Sequence, residues 1–448
     1  MVSQKRKKQV KKNEATDGVY VIISGVALAM ILSLIAGLLV ILFTNSFQAF
    51  LVPEIEEFTL ADNQLVLGEV WLENENQIQV KTGNRDIYGS DFYWIERKDI
   101  LRRGKSLDVI VVERSSWGNF VGYLDNPEAI GVHDSVSSPL QVREVGGAEK
   151  QISADEVVKV YFPERLSFSD RLLFTVEKMW RFVSDDPRES NTEGGVFPAI
   201  FGTVLMVIVM SVIVTPLGVL TAIYLSEYAR PGLVVSLVRI AVNNLAGVPS
   251  IVYGVFGMGF FVYVLGARVD QLFFSDKLPT PTFGTGGIVW ASLTLALLTL
   301  PTVIVTTLEG LRAIPRSYRE SSYALGATRY EVMRYTILPS LVPSILTGVI
   351  LAVSRAAGEV APLMLTGVVK MAPSLPVDGE FPYLHLERKF MHLGFHIYDV
   401  GFQSPNVEAV RPMVYSTAIL LLLIVIVLNM SAIYLRNHIR RKLTAEIV

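Results

Sequence analysis

Six apolar runs, each near the length of a bilayer-crossing helix, constrain this chain more than any other feature. They cover Gly18–Phe43, Val196–Tyr224, Leu233–Leu265, Gly287–Leu308, Leu341–Val369 and Met413–Leu435. A transmembrane helix needs about 20 consecutive, mostly apolar residues. A soluble chain of 448 residues would be read as two or three domains, but 51% hydrophobic and 18% charged residues sorted into these runs read otherwise. The expected fold is an all-α polytopic membrane bundle with about six spans. The first run follows a basic start with Lys5, Arg6, Lys7, Lys8, Lys11 and Lys12, as a signal peptide would. It is longer than the 7–15 residues of a signal-peptide core and lacks an Ala-x-Ala exit, so a retained helix at 18–45 is expected.

The second and third runs contain Pro216 and Pro249, and the fifth contains Pro362. Helix breakers at membrane depth are tolerated where a bundle or cavity satisfies the freed backbone, so all three are candidate hinges. Basic residues set the orientation. The N-terminus 1–17, the loop with Arg312, Arg316, Arg319, Arg329 and Arg334, and the tail 436–448 with Arg436, Arg440, Arg441 and Lys442 fall on one face. That face is expected to be cytoplasmic, which puts residues 46–195 on the other side of the membrane. Those residues hold 27 acidic and 16 basic side chains, a net −11 that leaves +9 for the remainder. An acidic soluble portion is thus attached to a basic membrane portion. With no cysteine in the chain, disulfides, thiolate metal sites and cysteine nucleophiles are excluded.

Between 60 and 165 short stretches alternate apolar and polar residues, as in Leu107-Asp-Val-Ile-Val-Val-Glu and Glu156-Val-Val-Lys-Val-Tyr-Phe. Thr82-Gly83-Asn84 and Gly146-Gly147 punctuate them, so a small β-rich domain is expected after the first helix. It shows no catalytic cluster. Gly104-Lys105-Ser106 has the end of a phosphate-binding loop, but Asp99 stands where the first glycine is required. Asp170–Val183 reads as an amphipathic helix with Leu172, Leu173, Val176, Met179, Trp180 and Val183 on one stripe. It lies in the membrane interface or packs on the β domain, and the pattern allows both.

The loop 309–340 joins the fourth and fifth runs. It reads Arg319-Glu320-Ser321-Ser322-Tyr323-Ala324-Leu325-Gly326-Ala327-Thr328, then Ile337-Leu338-Pro339. This is a short helix with small residues on one face, a glycine suited to a left-handed C-cap, and a second helix near a proline. On physical grounds alone it is a helix–turn–helix connector.

The segment resembles the EAA motif of bacterial ABC importer permeases: Glu-Ala-Ala, three residues, Gly, nine residues, then Ile-x-Leu-Pro. Glu320, Gly326, Leu338 and Pro339 match, while Ser321 and Ser322 replace the alanines and Thr336 the isoleucine. Asn244-Leu-Ala-Gly-Val-Pro-Ser-Ile-Val-Tyr-Gly254 and Ser354-Arg-Ala-Ala-Gly-Glu-Val-Ala-Pro362 are similar to the third- and fifth-helix signatures of phosphate permeases. Phe390-Met-His-Leu-Gly-Phe-His-Ile-Tyr-Asp399, running on to Pro412, resembles the PstA type within that family. The resemblance covers residue 192 to the end. It implies a type I ABC importer permease core over 196–435 and a coupling helix that docks into an ATPase cleft through Glu320, Ser321, Ser322, Ala324, Gly326 and Ala327. It also implies a PstC-type second permease, a PstB-type ATPase pair and an extracytoplasmic phosphate-binding protein. The β-rich insert departs from a compact permease of this kind.

Arg355 and Glu359 lie in the fifth run, four residues apart and so on one face of a continuous helix. An ionisable residue near the bilayer centre costs about 2.5–3.5 kcal/mol on insertion scales, so it normally faces a partner or a wet path. They form either a structural salt bridge or a substrate site, in which the guanidinium fork suits an oxyanion. Asn243, Asn244 and Ser250 flank the Pro249 break and line the path or bond between helices. His392 and His396 have a metal-like spacing, but Gly394 lies between them and no third ligand is evident. The expectation is a permease subunit in the cytoplasmic (inner) membrane, with both termini cytoplasmic, moving inorganic phosphate while a separate ATPase supplies energy. No cofactor, metal, catalytic residue or nucleic-acid partner is expected; membrane lipid is. A permease for sulfate or molybdate and a membrane sensor or scaffold are the rival readings.

Overall fold

The computed structural model describes residues 2–124, 139–404 and 407–445. Among these, six helices are long and apolar enough to cross a membrane: Tyr20–Gln48, Phe197–Tyr228, Ser250–Phe273, Ile288–Ala313, Arg329–Ala356 and Val407–Lys442. The protein is multi-pass. In chain order the helices are α1 (Val2–Gln48), α2 (Arg85–Tyr88), α3 (Phe168–Ser184), α4 (Phe197–Ile223), α5 (Leu233–Leu245), α6 (Ser250–Phe256) and α7 (Ala267–Phe273). They continue as α8 (Ile288–Ala313), α9 (Arg316–Ala324), α10 (Arg329–Glu331), α11 (Leu338–Ala356), α12 (Ala361–Thr366), α13 (Leu393–Tyr398) and α14 (Val407–Ala445). Wider π-helical turns join α6 to α7 and α10 to α11.

The bundle centre is α8, packed between α4 and α11. Met206, Met210 and Val214 of α4 meet Leu295, Ala296 and Val303 of α8, with Ala352 and Ala356 of α11 beside them. Lipid is as apolar as these side chains, so close packing between small residues holds such helices together. At the α8–α11 crossing a Cβ on Gly348 would lie 2.2 Å from Thr306 Oγ1. In contrast, α1 stands apart and presents Leu32, Leu34, Leu38 and Ile41 outward. A hydrogen bond of 3.1 Å between Ser46 and Ser416 ties its end to α14.

Two of the expected spans are corrected. The run Leu233–Leu265 is not one helix. It breaks at Pro249, leaving α5 as a separate 13-residue helix, and the span starts at Ser250. Pro249 has no N–H to donate and takes an extended ψ of 137°, so it caps α6 instead of kinking a longer helix. The run Leu341–Val369 likewise stops being helical after Ala356 and restarts at Ala361. Pro216 differs from both: α4 runs through it.

The β-rich domain between α1 and α3 has two five-stranded antiparallel sheets. Strands β1 (Ile55–Leu60), β2 (Leu65–Glu73), β3 (Gln77–Lys81), β4 (Phe92–Glu96) and β5 (Ile100–Gly104) run in the order β4-β3-β2-β1-β5. Strands β6 (Val109–Arg114), β7 (Phe120–Leu124), β8 (Leu140–Arg143), β9 (Glu149–Ile152) and β10 (Val157–Tyr161) run β10-β6-β7-β8-β9. Alternation explains the first sheet, in which Phe58, Ile78, Val80 and Ile95 close one core. The run Val109–Val112 of β6 is continuously apolar because it serves two cores: Ile110 and Val112 face one, Val109 and Val111 the other. Gly147, at φ +86°, makes the turn expected between β8 and β9. Gly104-Lys105-Ser106 ends an ordinary strand, and Lys105 pairs with Glu54 at 2.6 Å.

A capping box starts α3, with Ser167 accepting from Asp170 N and the Asp170 carboxylate returning to the Ser167 N–H. One face of this helix packs on the β domain. Phe174 and Phe182 pack inward, 4.7 Å from Tyr161 and 5.4 Å from Phe50 between ring centroids, while the opposite stripe is exposed.

Candidate functional site

The Arg355 and Glu359 side chains do meet, with Nε 3.7 Å from Oε1, but not on a continuous helix. Arg355 sits in the last turn of α11, and Glu359 lies in the four-residue break before α12. Pro362 explains the difference. It stands in the first turn of α12, where its missing N–H is no loss, so it opens a helix instead of bending one. The side chains of Arg355 and Glu359 are 37% and 21% exposed, and among the described residues neither has another ion pair. The guanidinium therefore keeps its two terminal nitrogens unengaged.

The break packs directly on the Pro249 turn. A Cβ on Gly254 would lie 2.7 Å from Pro362 Cα, so α6 and α12 touch backbone to backbone. Tyr253 donates its hydroxyl to Leu245 O at 2.7 Å and closes the turn from α5 into α6. The stretches 244–254 and 354–362, a hundred residues apart, thus form one structural unit. Ser250 is half-buried at the start of α6. Asn243 and Asn244 are exposed near the end of α5, and no hydrogen bond joins them to Arg355 among the described residues.

Sequence reasoning missed a second polar cluster. Lys370 Nζ lies 3.3 Å from Asp399 Oδ2, and the Asp399 side chain is only 2% exposed. His392 and His396 are buried beside it; His392 is the N-cap of α13, accepting from Gly394 N at 3.1 Å, and is not a helical ligand. Spacing alone could not separate a cap from a helix position. Burial pushes the His392 ring down to about 3, and burial with nearby Lys370 pushes His396 down to about 4. Both folded values lie below the unfolded 6.5. Stability is therefore full above pH 6.5 and is lost as pH falls toward 4, by about 1.4 kcal/mol per pH unit for each ring. Thermal unfolding in detergent should move to lower temperature between pH 6.5 and 5, and His396→Gln should flatten that slope. A slope unchanged by the substitution would contradict the assignment.

The loop after α8 folds as a helix, a left-handed turn and a capped second helix. Gly326 has φ +83° with open space where a Cβ would stand, so conformation alone requires glycine. Thr328 and Glu331 form a reciprocal capping box at α10. Arg319 fastens the loop to the bundle: its guanidinium donates to Ile314 O and Leu311 O, each at 3.1 Å, and to Glu227 Oε1 at 3.0 Å. Nothing in the sequence distinguished it from the loop's other arginines. Glu320, Ser321, Ala324 and Gly326 are exposed, with Leu325 89% exposed between them; Ser322 and Ala327 are half-buried.

Two departures from the EAA pattern explain each other. The hydroxyls of Ser322 and Thr336 lie 2.9 Å apart and join α9 to the turn entering α11. Polar residues stand at both positions because they bond together. Ser322→Ala alone should cost about 1 kcal/mol, since it strands the Thr336 hydroxyl, while Thr336→Ile should cost less, since Ser322 keeps its bond to Tyr318 O at 2.9 Å. The double substitution should cost less than the sum, as a double-mutant cycle on thermal stability would read. Additive costs would show that the two act independently.

Six apolar helices long enough to cross a membrane, with a polar break between α11 and α12, define a polytopic membrane protein. Residues 214–445 match the family described as "Binding-protein-dependent transport system inner membrane component". The chain is 29% identical over 274 residues to the "Probable ABC transporter permease protein YqgI" of Bacillus subtilis (strain 168), covering 60% of this chain and 86% of that protein. It is 33% identical over 252 residues to the "Phosphate transport system permease protein PstA" of Yersinia pestis, covering 56% of this chain and 75% of that one. A solved structure of the MetNI methionine ABC transporter aligns at 18% identity and a TM-score of 0.38, over 59% of this chain and 98% of that one. The chain belongs to the binding-protein-dependent transport system inner membrane component family and is an ABC-importer permease subunit. The β-rich domain lies outside the matched stretch.

Proposed function

We propose that this permease imports inorganic phosphate as the PstA-type half of its pathway, with Arg355 and Glu359 contacting the substrate. The observation that carries the reading is the half-exposed Arg355–Glu359 pair at a helix break, directly behind the Gly254–Pro362 contact. A guanidinium with free terminal nitrogens presents a planar fork to two oxyanion oxygens. Glu359 would repel a bare anion, but it accepts a hydrogen bond from the proton that phosphate keeps at neutral pH. Sulfate has no such proton. The likeness to the phosphate transport permease of Yersinia pestis supports the same substrate.

Ser250, Asn243 and Asn244 flank the path in this reading, and the breaks at Pro249 and Pro362, with Pro216 in α4, allow the bundle to rock. The exposed face of α9 and Gly326 docks a separate ATPase pair. Basic residues at 5–12, 312–334 and 436–442 support a cytoplasmic side for that face and both termini. The β-rich domain then stands outside the inner membrane, toward a PstC-type partner permease and a phosphate-binding protein.

Competition uptake tests this proposal. In the assembled transporter, sulfate should compete poorly with labelled phosphate, and Glu359→Gln should weaken that preference on the order of 10-fold, the loss of one charge-assisted hydrogen bond. Equal competition by sulfate or molybdate in the unaltered protein would instead favour a permease for another oxyanion. Selectivity unmoved by the substitution would take Glu359 out of the site.

A further inference from the structure

The helix α3 is built inside out for a domain in water. Its charged side chains turn toward the β domain or its own cap. Arg171 donates to Pro163 O at 3.0 Å, Glu177 pairs with Lys159 at 2.5 Å, and Arg181 pairs with Glu113 at 3.2 Å. Asp170 closes the capping box, and Lys178 lines a cleft of about 200 Å³ with Glu69 and Glu113 beneath the sheets. The outward face is mainly apolar, with Leu172 57% exposed, Leu173 65%, Val176 57%, Met179 44% and Trp180 71%, and Glu177 exposed at its rim. Phe168, at the start of the helix, extends the stripe and is 86% exposed.

The place of the helix says what covers that face. Its C-terminal turn is held between the ends of two membrane spans: Val196 N, just before α4, donates to Phe182 O at 2.8 Å, and the Phe182 ring packs on Phe50 after α1. Phe47 and Leu51, at the end of α1, and Phe197, at the start of α4, are exposed apolar side chains at the same level. The stripe therefore continues the lipid-facing surface of the spans, while the β domain occupies the opposite side of the helix. An apolar face with charges turned away, next to a membrane boundary, is the pattern of a helix lying in the headgroup–acyl interface, with Trp180 suited to that depth.

We propose that α3 lies in the membrane surface and seats the β domain on the phospholipid bilayer. The β domain already touches the start of α14, where Gln79 donates to Glu408 at 3.2 Å, and the lipid contact of α3 adds a further hold on its tilt over the bundle. The occupant is the lipid interface, not a second protein.

The absence of native cysteine makes the test clean. Single cysteines would replace Val176, Met179 and Glu177, with Leu34→Cys in α1 as the lipid-exposed reference. The full chain, alone and with the subunits that co-purify with it, would carry a nitroxide label in vesicles of phosphatidylethanolamine and phosphatidylglycerol. Collision with oxygen, which partitions into lipid, would be measured against a water-soluble nickel chelate. At 176 and 179 the oxygen-to-nickel ratio should approach that of Leu34→Cys and exceed that of Glu177→Cys several-fold. A ratio at 176 and 179 equal to that at 177 would put the face in water and overturn the proposal. Exclusion of both reagents from 176 and 179 in the complex would mean a protein partner covers it, which overturns it equally. Val176 and Met179 lie on the exposed face and Glu177 at its rim, so the substitutions leave Phe174 and Phe182 packed, although Glu177→Cys gives up the pair with Lys159.

Discussion

Arg355→Gln in the assembled transporter should reduce labelled phosphate uptake on the order of 100-fold, the scale for losing one partner of a desolvated charge contact. The glutamine amide is similar in reach but offers neither the charge nor the paired donors of the fork. The substitution also leaves Glu359 without its neighbour at 3.7 Å, so a negative charge stands uncompensated in the proposed anion site. Arg355→Lys should fall between the two, because a point charge is kept while the planar geometry is lost. Association with the ATPase should stay unchanged in both variants, since the loop at α9 is untouched. Wild-type uptake by Arg355→Gln would reduce the pair to a structural salt bridge and remove the substrate site proposed here.

Gly326→Pro should abolish both ATPase capture and uptake. Proline holds φ near −65°, whereas position 326 needs +83°, and it also deletes the N–H that donates to Tyr323 O at 3.0 Å. The turn from α9 to the Thr328 cap cannot then form, and the exposed face from Glu320 to Leu325 loses its orientation. Gly326→Asn should be nearly silent, because asparagine visits the left-handed region with little strain, while Gly326→Ala should cost about 1–2 kcal/mol. Co-purification of the ATPase with each variant reads the series directly. Equal capture by the proline variant would mean that the loop is not where the motor docks.

The two sites differ in how they could be read. The loop after α8 is local: within 20 residues the spacing of Glu320, Gly326 and Pro339 was enough to place a helix, a left-handed glycine and a second helix, and all three are present. Arg319 and the Ser322–Thr336 bond escaped notice because their partners come from other turns, Glu227 being 92 residues away. In the membrane the apolar runs marked the number of spans but misplaced the bounds of two and hid their breaks. Hydropathy averages over side chains, so Asn243, Asn244, Arg355 and Glu359 did not interrupt runs that are otherwise apolar. Only backbone bonding shows that both prolines begin helices.

Local chemistry in the chain was sufficient to determine six membrane spans, a β-rich insert and a capped helix–turn–helix loop, because bilayer length, strand alternation and turn stereochemistry act over about 5 to 25 neighbouring residues. Tertiary structure alone decided that Gly254 meets Pro362, that Glu359 leaves the helix yet still reaches Arg355, and that α3 turns its charges inward. Those outcomes depend on which surfaces pack together. A glycine or a charge carries no record of a contact made by residues far along the chain.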